Sequence, residues 1–143
     1  MTRIDFYIVD SDKTSSRALL ACRLAEKAYS LKNKIYIYTT DESQAKSFDE
    51  LLWTYRAGSF VPHQQLGTED NPDCPVLIGH TDAPEGLNQV LINLDIAVPL
   101  FFSRFERVVE IVNQDENQRQ QARERFKFYR DRGYDLHTHN LNH

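Results

Sequence analysis

Apolar residues along this chain fall into five short runs, each rich in β-branched and aromatic side chains. Continuous apolar runs of this length are typical of strands that are buried on both faces of a parallel sheet. Polar residues and turn formers bound each run, as expected at strand ends. We therefore predict five strands, at residues 4–9, 34–40, 75–79, 89–95 and 107–112.

The segments between these runs carry apolar residues at intervals of three and four, which places the side chains on one face of a helix. Small polar residues precede these segments as candidate N-terminal caps, and Gly133 follows the last one as a natural C-terminal cap. The predicted helices run from Thr14 or Ser15 to about Leu31, onward from Thr40 and Asp41, over residues 100–105, and from about Gln114 to Arg132.

Strands that alternate with helices over short connections indicate an α/β fold with a mostly parallel sheet. A length of 143 residues fits one domain, and the sequence contains no linker, so we expect a single domain over residues 1–143. The apolar runs are far shorter than the ~20 residues that a membrane span requires. The N-terminus also lacks the apolar core of a signal peptide. We therefore expect no membrane association and a cytoplasmic location.

Cofactor chemistry finds little support in the sequence. The five glycines form neither GxGxxG nor GxxxxGK[ST], the loops that bind phosphate in many α/β folds. Asp10 and Asp12, after the first strand, would also repel a phosphate. The C-terminal HTHNLNH could hold a metal through His137 and His139, but we prefer a frayed polar tail because no rigid element offers a further ligand. We expect neither a cofactor nor a metal.

Charge is distributed unevenly along the chain. The whole sequence has 17 basic and 21 acidic residues, whereas residues 119–132 alone carry six basic and two acidic side chains. An acidic protein is poorly suited to bind nucleic acid directly, because phosphate contacts need a basic surface. Any basic function must therefore be local to the last predicted helix.

Four cations and one aromatic ring share a face of that helix, beside an apolar stripe. A face that is merely solvated normally interleaves both signs of charge, and this one does not. Basic groups beside an apolar notch suit a short acidic peptide with a hydrophobic end, since guanidinium groups pair well with carboxylates. The five residues are Arg119, Arg123, Phe126, Lys127 and Arg130.

A second candidate surface lies in LLWTYRAGSFVP, residues 51–62, which contains the only tryptophan of the chain. Trp53 and Phe60 flank a turn that contains a glycine. Aromatic side chains in such a segment either close over the core or stay exposed as anchors for a partner protein. The sequence alone leaves both interpretations open.

Four segments, taken in order along the chain, resemble the chi subunit family of bacterial DNA polymerase III. They are FYIVD at 6–10, IYIYTTDESQAKSFDELLW at 35–53, SFVPH at 59–63 and QARERFKFYRDRGYDL at 121–136. The likeness extends over almost the whole chain. Its most specific part is the succession of DELLW, SFVPH and ARERFKFYR.

The resemblance implies an accessory subunit without catalytic activity, on a fold like that of mononucleotide-binding domains. It also implies two protein partners. One is the psi subunit, which tethers the protein to the clamp-loader complex, and the other is the acidic C-terminal tail of single-stranded-DNA-binding protein. In some members of the family a repair helicase uses the psi-binding surface. Neither a cofactor nor direct contact with nucleic acid is implied.

The resemblance further implies which residues bind each partner. The tail-binding residues would be Arg119, Arg123, Phe126 and Lys127, together with Val112 and Thr138. The psi-binding residues would be Trp53, Phe60 and Pro62. Two alternatives remain open: a nucleotide-binding α/β enzyme, and a protein that binds single-stranded DNA directly through arginine and aromatic stacking.

Overall fold

The computed structural model describes residues 1–67 and 73–141. These residues form seven strands, three α-helices and one turn of 3-10 helix. In chain order the elements are β1 (Arg3–Val9), α1 (Ser16–Ser30), β2 (Ile35–Tyr38), α2 (Glu42–Thr54), β3 (His63–Gln65), β4 (Val76–Gly79), β5 (Val90–Asn93), the 3-10 turn (Phe102–Arg104), β6 (Arg107–Val112), α3 (Glu116–Asp131) and β7 (Asp135–Leu141).

All seven strands belong to one sheet, in the order β3–β4–β2–β5–β6–β1–β7. Every pairing between them is parallel. The predicted α/β fold with a parallel sheet is therefore confirmed. Each of the five predicted strands is present, and the helix predicted at 100–105 shortens to the single 3-10 turn.

The sheet has seven strands rather than about five, because two of them lack the apolar runs from which strands were predicted. They are β3 and β7, which occupy the two edges of the sheet. An edge strand is often less apolar than a central one, because one of its sides faces solvent or a loop. The sequences HQQ and DLHTHNL are accordingly polar, and apolar periodicity does not detect them.

The interpretation of the C-terminal segment as a frayed tail is wrong for the residues that the structure describes. Strand β7 runs parallel to β1 and keeps register with it from the Arg3–Asp135 pair to the Val9–Leu141 pair. Main-chain pairing, rather than burial of apolar side chains, holds this segment in place. His143, which ends the HTHNLNH motif, lies outside the described residues.

Two apolar layers cover the sheet. Helices α1 and α2 pack on one face, around side chains such as Ile37, and α3 packs on the other face, around Tyr129. Cys22 and Cys74 are free thiols, one buried in each layer. Burial raises the pKa of Cys22 to about 12, so this thiol has structural rather than reactive character.

Polar side chains fix the helix ends that matter for the surfaces described below. The Asp41 carboxylate accepts a hydrogen bond from the main-chain N–H of Gln44 at 2.9 Å, where α2 begins. Asp115 accepts from Gln118 at 3.1 Å in the same way, where α3 begins. Gly133, with φ +77°, ends α3 as predicted. Within the described ranges, none of the helices has the length and hydropathy of a membrane span.

Candidate protein-binding surfaces

A buried carboxylate anchors α3 to the sheet. Glu110 on β6 is fully buried and accepts hydrogen bonds from Arg125 Nε at 2.8 Å and Tyr129 Oη at 2.7 Å. Asn93 Nδ2 donates a third bond to it at 2.9 Å. Burial, and then the nearby Glu110 charge, raises the pKa of Tyr129 well above its usual value, so its hydroxyl remains a donor. Hydrogen bonds in such a site are strong and costly to lose, which holds α3 in one orientation.

The Arg125–Glu110 ion pair also means that the surface of α3 carries fewer free cations than the count of basic residues in the sequence suggests. Arg125 is one of the six basic residues in the 119–132 window, but only 3% of it is exposed and its guanidinium pairs with Glu110. Arg130 pairs with the neighbouring Asp131. The cations that remain for a partner on this face are Arg119, Arg123 and Lys127.

A cavity of about 330 Å³ lies between α3 and the strands β6, β1 and β7. Strand register sets its floor. Val112 pairs with Ile8 across β6 and β1, and Phe6 pairs with Thr138 across β1 and β7. Because side chains alternate along a strand, all four face α3. The ring of Phe126 meets that of Phe6 edge-on at a centroid distance of 5.2 Å, so an aromatic pair forms the apolar part of the cavity.

Basic side chains line the same cavity. Arg119 and Arg123 project into it from successive turns of α3, with the small Ala122 between them. Lys127, one turn further along the helix, is exposed but does not line the cavity. The structure thus brings together five of the six residues implied for tail binding, namely Val112, Arg119, Arg123, Phe126 and Thr138.

The cations on this face have no acidic partner in residues 1–67 and 73–141. Every ion pair in that part of the chain joins other residues, and Arg119, Arg123 and Lys127 take part in none. An arginine that is unpaired within its own chain keeps its guanidinium free to form charge-assisted hydrogen bonds with an anionic group. The cavity therefore combines an apolar floor with available positive charge.

The second surface lies at the opposite edge of the sheet. Trp53, in the last turn of α2, is 51% exposed, and Phe60, in the loop before β3, is 66% exposed. Their ring centroids are 5.9 Å apart. Pro62, in the same loop, is half-buried. Of the two interpretations left open by the sequence, closure over the core does not fit these exposed side chains.

Sequence reasoning missed the part of the cavity beside α3 that the strands contribute. Phe6 and Ile8 lie in a correctly predicted strand, and Asn113 and Gln114 follow another one directly. Alternation along β1 could have grouped Phe6 with Ile8 on one face. It could not have shown which helix covers that face, because this depends on the path of the chain across the sheet.

Each of the two histidines in β7 forms a hydrogen bond with a carboxylate. His137 Nε2 lies 2.9 Å from Asp135 Oδ2, and His139 Nε2 lies 2.8 Å from Asp5 Oδ1. In the part of the chain that the structure describes, no group of three or more His, Cys, Asp or Glu side chains is arranged to hold a metal ion. The histidines of this segment therefore form local hydrogen bonds within a paired strand, rather than a metal site.

The same fold occurs in a solved structure of very different sequence. A chain in the crystal structure of T4 UvsW matches this protein with a TM-score of 0.70 over 99% of the present chain. The sequence identity is 9%, and the present chain spans 42% of the length of that chain. At this identity the likeness concerns the fold alone.

Curated relatives match this chain along nearly their whole length. DNA polymerase III subunit chi of Pseudomonas aeruginosa is 40% identical over 141 residues, covering 99% of this chain and 98% of that protein. The corresponding subunits of Escherichia coli K12 and Haemophilus influenzae are 34% and 32% identical, covering 96% and 95% of this chain and 97% and 95% of theirs. A family model described as DNA polymerase III chi subunit, HolC, matches residues 1–137. This chain therefore belongs to the DNA polymerase III chi subunit family.

Proposed function

We propose that this protein is a non-catalytic accessory subunit that joins two other proteins at the replication fork. One partner is the psi subunit of the clamp-loader complex, and the other is the acidic C-terminal tail of single-stranded-DNA-binding protein. The link ties the replicase to coated lagging-strand template in the cytoplasm. The observation that carries the proposal is the cavity at α3, where unpaired cations adjoin an apolar floor.

The cavity suits the end of an acidic peptide. A terminal aromatic side chain would enter beside Phe126 and Phe6, where edge-to-face ring contacts add to apolar burial. Arg119 and Arg123 then meet the terminal carboxylate and the acidic side chains before it, and Lys127 extends the positive face by one turn. A net charge of −4 makes the remaining surface unfavourable for a phosphate backbone.

These contacts correspond to modest affinity. Exposed ion pairs contribute about 0.2–1 kcal/mol each, and burial of one aromatic side chain adds about 1.5–3 kcal/mol. Together they suggest a Kd on the order of micromolar, or about −8 kcal/mol. Added salt should weaken binding as the charges are screened. Several tails on an oligomeric partner would strengthen the link by avidity.

The psi subunit is assigned to the surface formed by Trp53, Phe60 and Pro62. Large aromatic side chains dominate the centres of protein interfaces, and two of them stand exposed side by side here. A repair helicase that used this surface would compete with psi rather than with the acidic tail.

Both partners can be bound at once, because the two surfaces lie at opposite edges of the sheet. Five strands separate β3 from β7, which at a spacing of about 4.8 Å puts the edges about 29 Å apart. Helices α2 and α3 also lie on opposite faces of the sheet. Simultaneous binding is the property that an adaptor requires.

Crossed variants test the proposal. Fluorescence anisotropy of a labelled acidic peptide ending in Pro-Phe measures tail binding at low and physiological salt, and size-exclusion chromatography with purified psi measures the other contact. We expect Arg123→Glu to abolish measurable tail binding and to leave psi binding intact. Phe60→Ala should do the reverse. Both side chains are exposed, so each variant is a matched control for the other.

Loss of both contacts in either variant would contradict the two-surface proposal. A labelled single-stranded oligonucleotide, titrated in parallel, addresses direct DNA binding, and tight binding without a partner protein would replace the proposal. A thermal-shift series with nucleotides addresses the enzymatic alternative. We expect no shift, and a clear one would favour a nucleotide-dependent activity instead.

A further inference from the structure

We infer that strand β7 offers its free edge to the acidic tail, which joins the sheet there as a further strand. The inference rests on the proposed function of the cavity beside α3, and it adds how the residues before the end of the tail are held. Among the described residues, β7 is the last strand in the sheet order and pairs with β1 alone. An edge strand presents unpaired main-chain groups along its outer side, where an extended peptide can pair with them.

The register with β1 shows which main-chain groups of β7 point outward. The N–H of Asp10 donates to the carbonyl oxygen of Leu141 at 3.2 Å, so the main chain of Leu141 faces β1. Successive residues of a strand present their main-chain groups to opposite sides. The N–H and C=O groups of Leu136, Thr138 and Asn140 therefore face outward, and no strand or loop of the described residues pairs with them.

The same residues of β7 carry their side chains on the face of the sheet that α3 covers. Thr138 lines the cavity beside α3, and Leu136 packs in the apolar layer around Tyr129. Residues that lie opposite one another on neighbouring strands point to the same face. A strand added beside β7 would therefore direct every second side chain toward α3.

Free cations of α3 lie along that position. Arg119 and Arg123 line the same cavity as Thr138, so they project on the β7 side of the helix. Lys127 follows one turn later, and none of the three cations has an acidic partner in the described ranges. Positions 119 to 127 span about 12 Å along a helix, which matches about four residues of a strand. Acidic side chains at alternate positions of the added strand would meet these cations in turn.

The place of the cavity sets the direction of the added strand. The cavity lies toward the carboxyl end of β7, since its lining includes Ile8, which pairs with Asn140, and the residues that follow β6. A tail whose last residue occupies the cavity approaches along β7 from the amino end of that strand. It therefore runs parallel to β7, as every other pair in this sheet does.

A second copy of this chain is the other natural partner for a free edge, and its charge disfavours it. Two β7 strands paired antiparallel about a twofold axis would place both α3 helices on one face of the joined sheet. Arg119, Arg123 and Lys127 of one copy would then face the same cations of the other. Like charges across an interface suppress association. An acidic chain suits this edge, and a second basic edge does not.

N-methylation of the peptide tests main-chain pairing without changing the protein. A strand that pairs on one side directs alternate N–H groups to its neighbour. Residues before the Pro-Phe end of the acidic peptide are methylated one at a time, and fluorescence anisotropy measures binding. We expect binding about two- to tenfold weaker at every second position, the range for one hydrogen bond, and unchanged at the positions between. An equal effect at all positions, or none at any, would overturn the inference.

Thr138→Pro tests the same pairing from the side of the protein. It removes an N–H that faces away from β1, a position at which an edge strand tolerates proline. Thr138→Val is the matched control, because both variants lose the hydroxyl and only proline loses the N–H. We expect the proline variant to bind the peptide about two- to tenfold more weakly than the valine variant. Equal affinities would contradict main-chain pairing, and the methylated peptides decide the question even where Thr138→Pro does not fold.

The outcomes also separate the inference from the proposed function. If the unmethylated peptide does not bind, tail binding fails and the added strand fails with it. If that peptide binds and methylation shows no alternation, tail binding stands and only the added strand is rejected. Light scattering of the free protein addresses the second copy: we expect a monomer, and a dimer that Thr138→Pro dissociates would assign the edge to self-association instead.

Discussion

At the scale of single residues, α3 uses the same residue type for two purposes. Arg123 is exposed, lines the cavity and has no acidic partner among the described residues. Arg125, two positions further on, is buried and paired with Glu110. A helix turns about 100° per residue, so two positions carry a side chain from the solvent face to the sheet. Binding and stability can therefore be changed separately in this helix.

The hydroxyl of Tyr129 should be important for stability. We expect Tyr129→Phe to lower the free energy of unfolding by about 1–3 kcal/mol, because buried Glu110 loses one of its donors. Urea denaturation at pH 7 measures the change. Tyr134→Phe is the control: it removes a hydroxyl from a half-buried ring and should change stability by less than about 0.5 kcal/mol. Equal effects of the two variants would argue against the hydrogen bond.

At the scale of elements, the end of α3 determines where β7 begins. The main-chain N–H of Gly133 donates to Arg130 at 3.0 Å, and that of Tyr134 donates to Tyr129 at 3.1 Å. This pair of bonds closes the helix and turns the chain back toward the sheet. Strand β7 starts at Asp135, which brings Thr138 to the cavity.

Gly133→Ala tests this turn. A Cβ at Gly133 meets no atom within 4 Å, so the cost arises from the φ of +77° alone. We expect the free energy of unfolding to fall by about 1–2 kcal/mol, the penalty for a left-handed backbone with an L side chain. Gly133→Asn should cost less, since asparagine tolerates this conformation. Thermal and urea unfolding of both variants compare them, and an equal or larger cost for asparagine would contradict the explanation.

At the scale of the whole molecule, one buried carboxylate joins three strands. Asp5 on β1 is fully buried and accepts hydrogen bonds from Arg107 Nε on β6 at 2.7 Å and from His139 Nε2 on β7 at 2.8 Å. Burial alone would raise the pKa of Asp5, but hydrogen bonds from His139, Arg3 and Arg107 outweigh it, and the pKa is lowered. The edge of the sheet that carries the cavity beside α3 therefore depends on a charged Asp5.

The contribution of Asp5 to stability should depend on pH. A carboxylate with a lowered folded pKa stabilises the protein above its unfolded pKa of about 3.9, and this contribution is lost as the pH falls through the folded value. We expect Asp5→Asn to lower the free energy of unfolding at pH 7, and we expect its difference from the unmodified protein to shrink as the pH falls below about 3.9. Urea denaturation across this range measures it. Asp135→Asn, at an exposed site, is the control, and a pH-independent difference for Asp5→Asn would contradict a role for the charge.

Much of the fold and part of each surface could be predicted from local patterns. Five strands, the helix with its cap at Gly133 and the shared face of Arg119 and Arg123 all follow from periodicity within a few residues of sequence. The exposure of Trp53 could not be predicted, because the same aromatic side chain can close a core or face solvent. Only the position of α2 relative to β3 distinguishes the two.

The sequence by itself determined the apolar strands, the helices between them and the basic face of α3, because each depends on residues close together in the chain. Only the tertiary structure decided that polar β7 pairs with β1, that Phe6 and Ile8 lie beneath α3, and that Arg125 turns inward to Glu110. Each of these facts depends on contacts between segments far apart in sequence. Local periodicity carries no information about such contacts, since it is the same whichever neighbour a strand acquires.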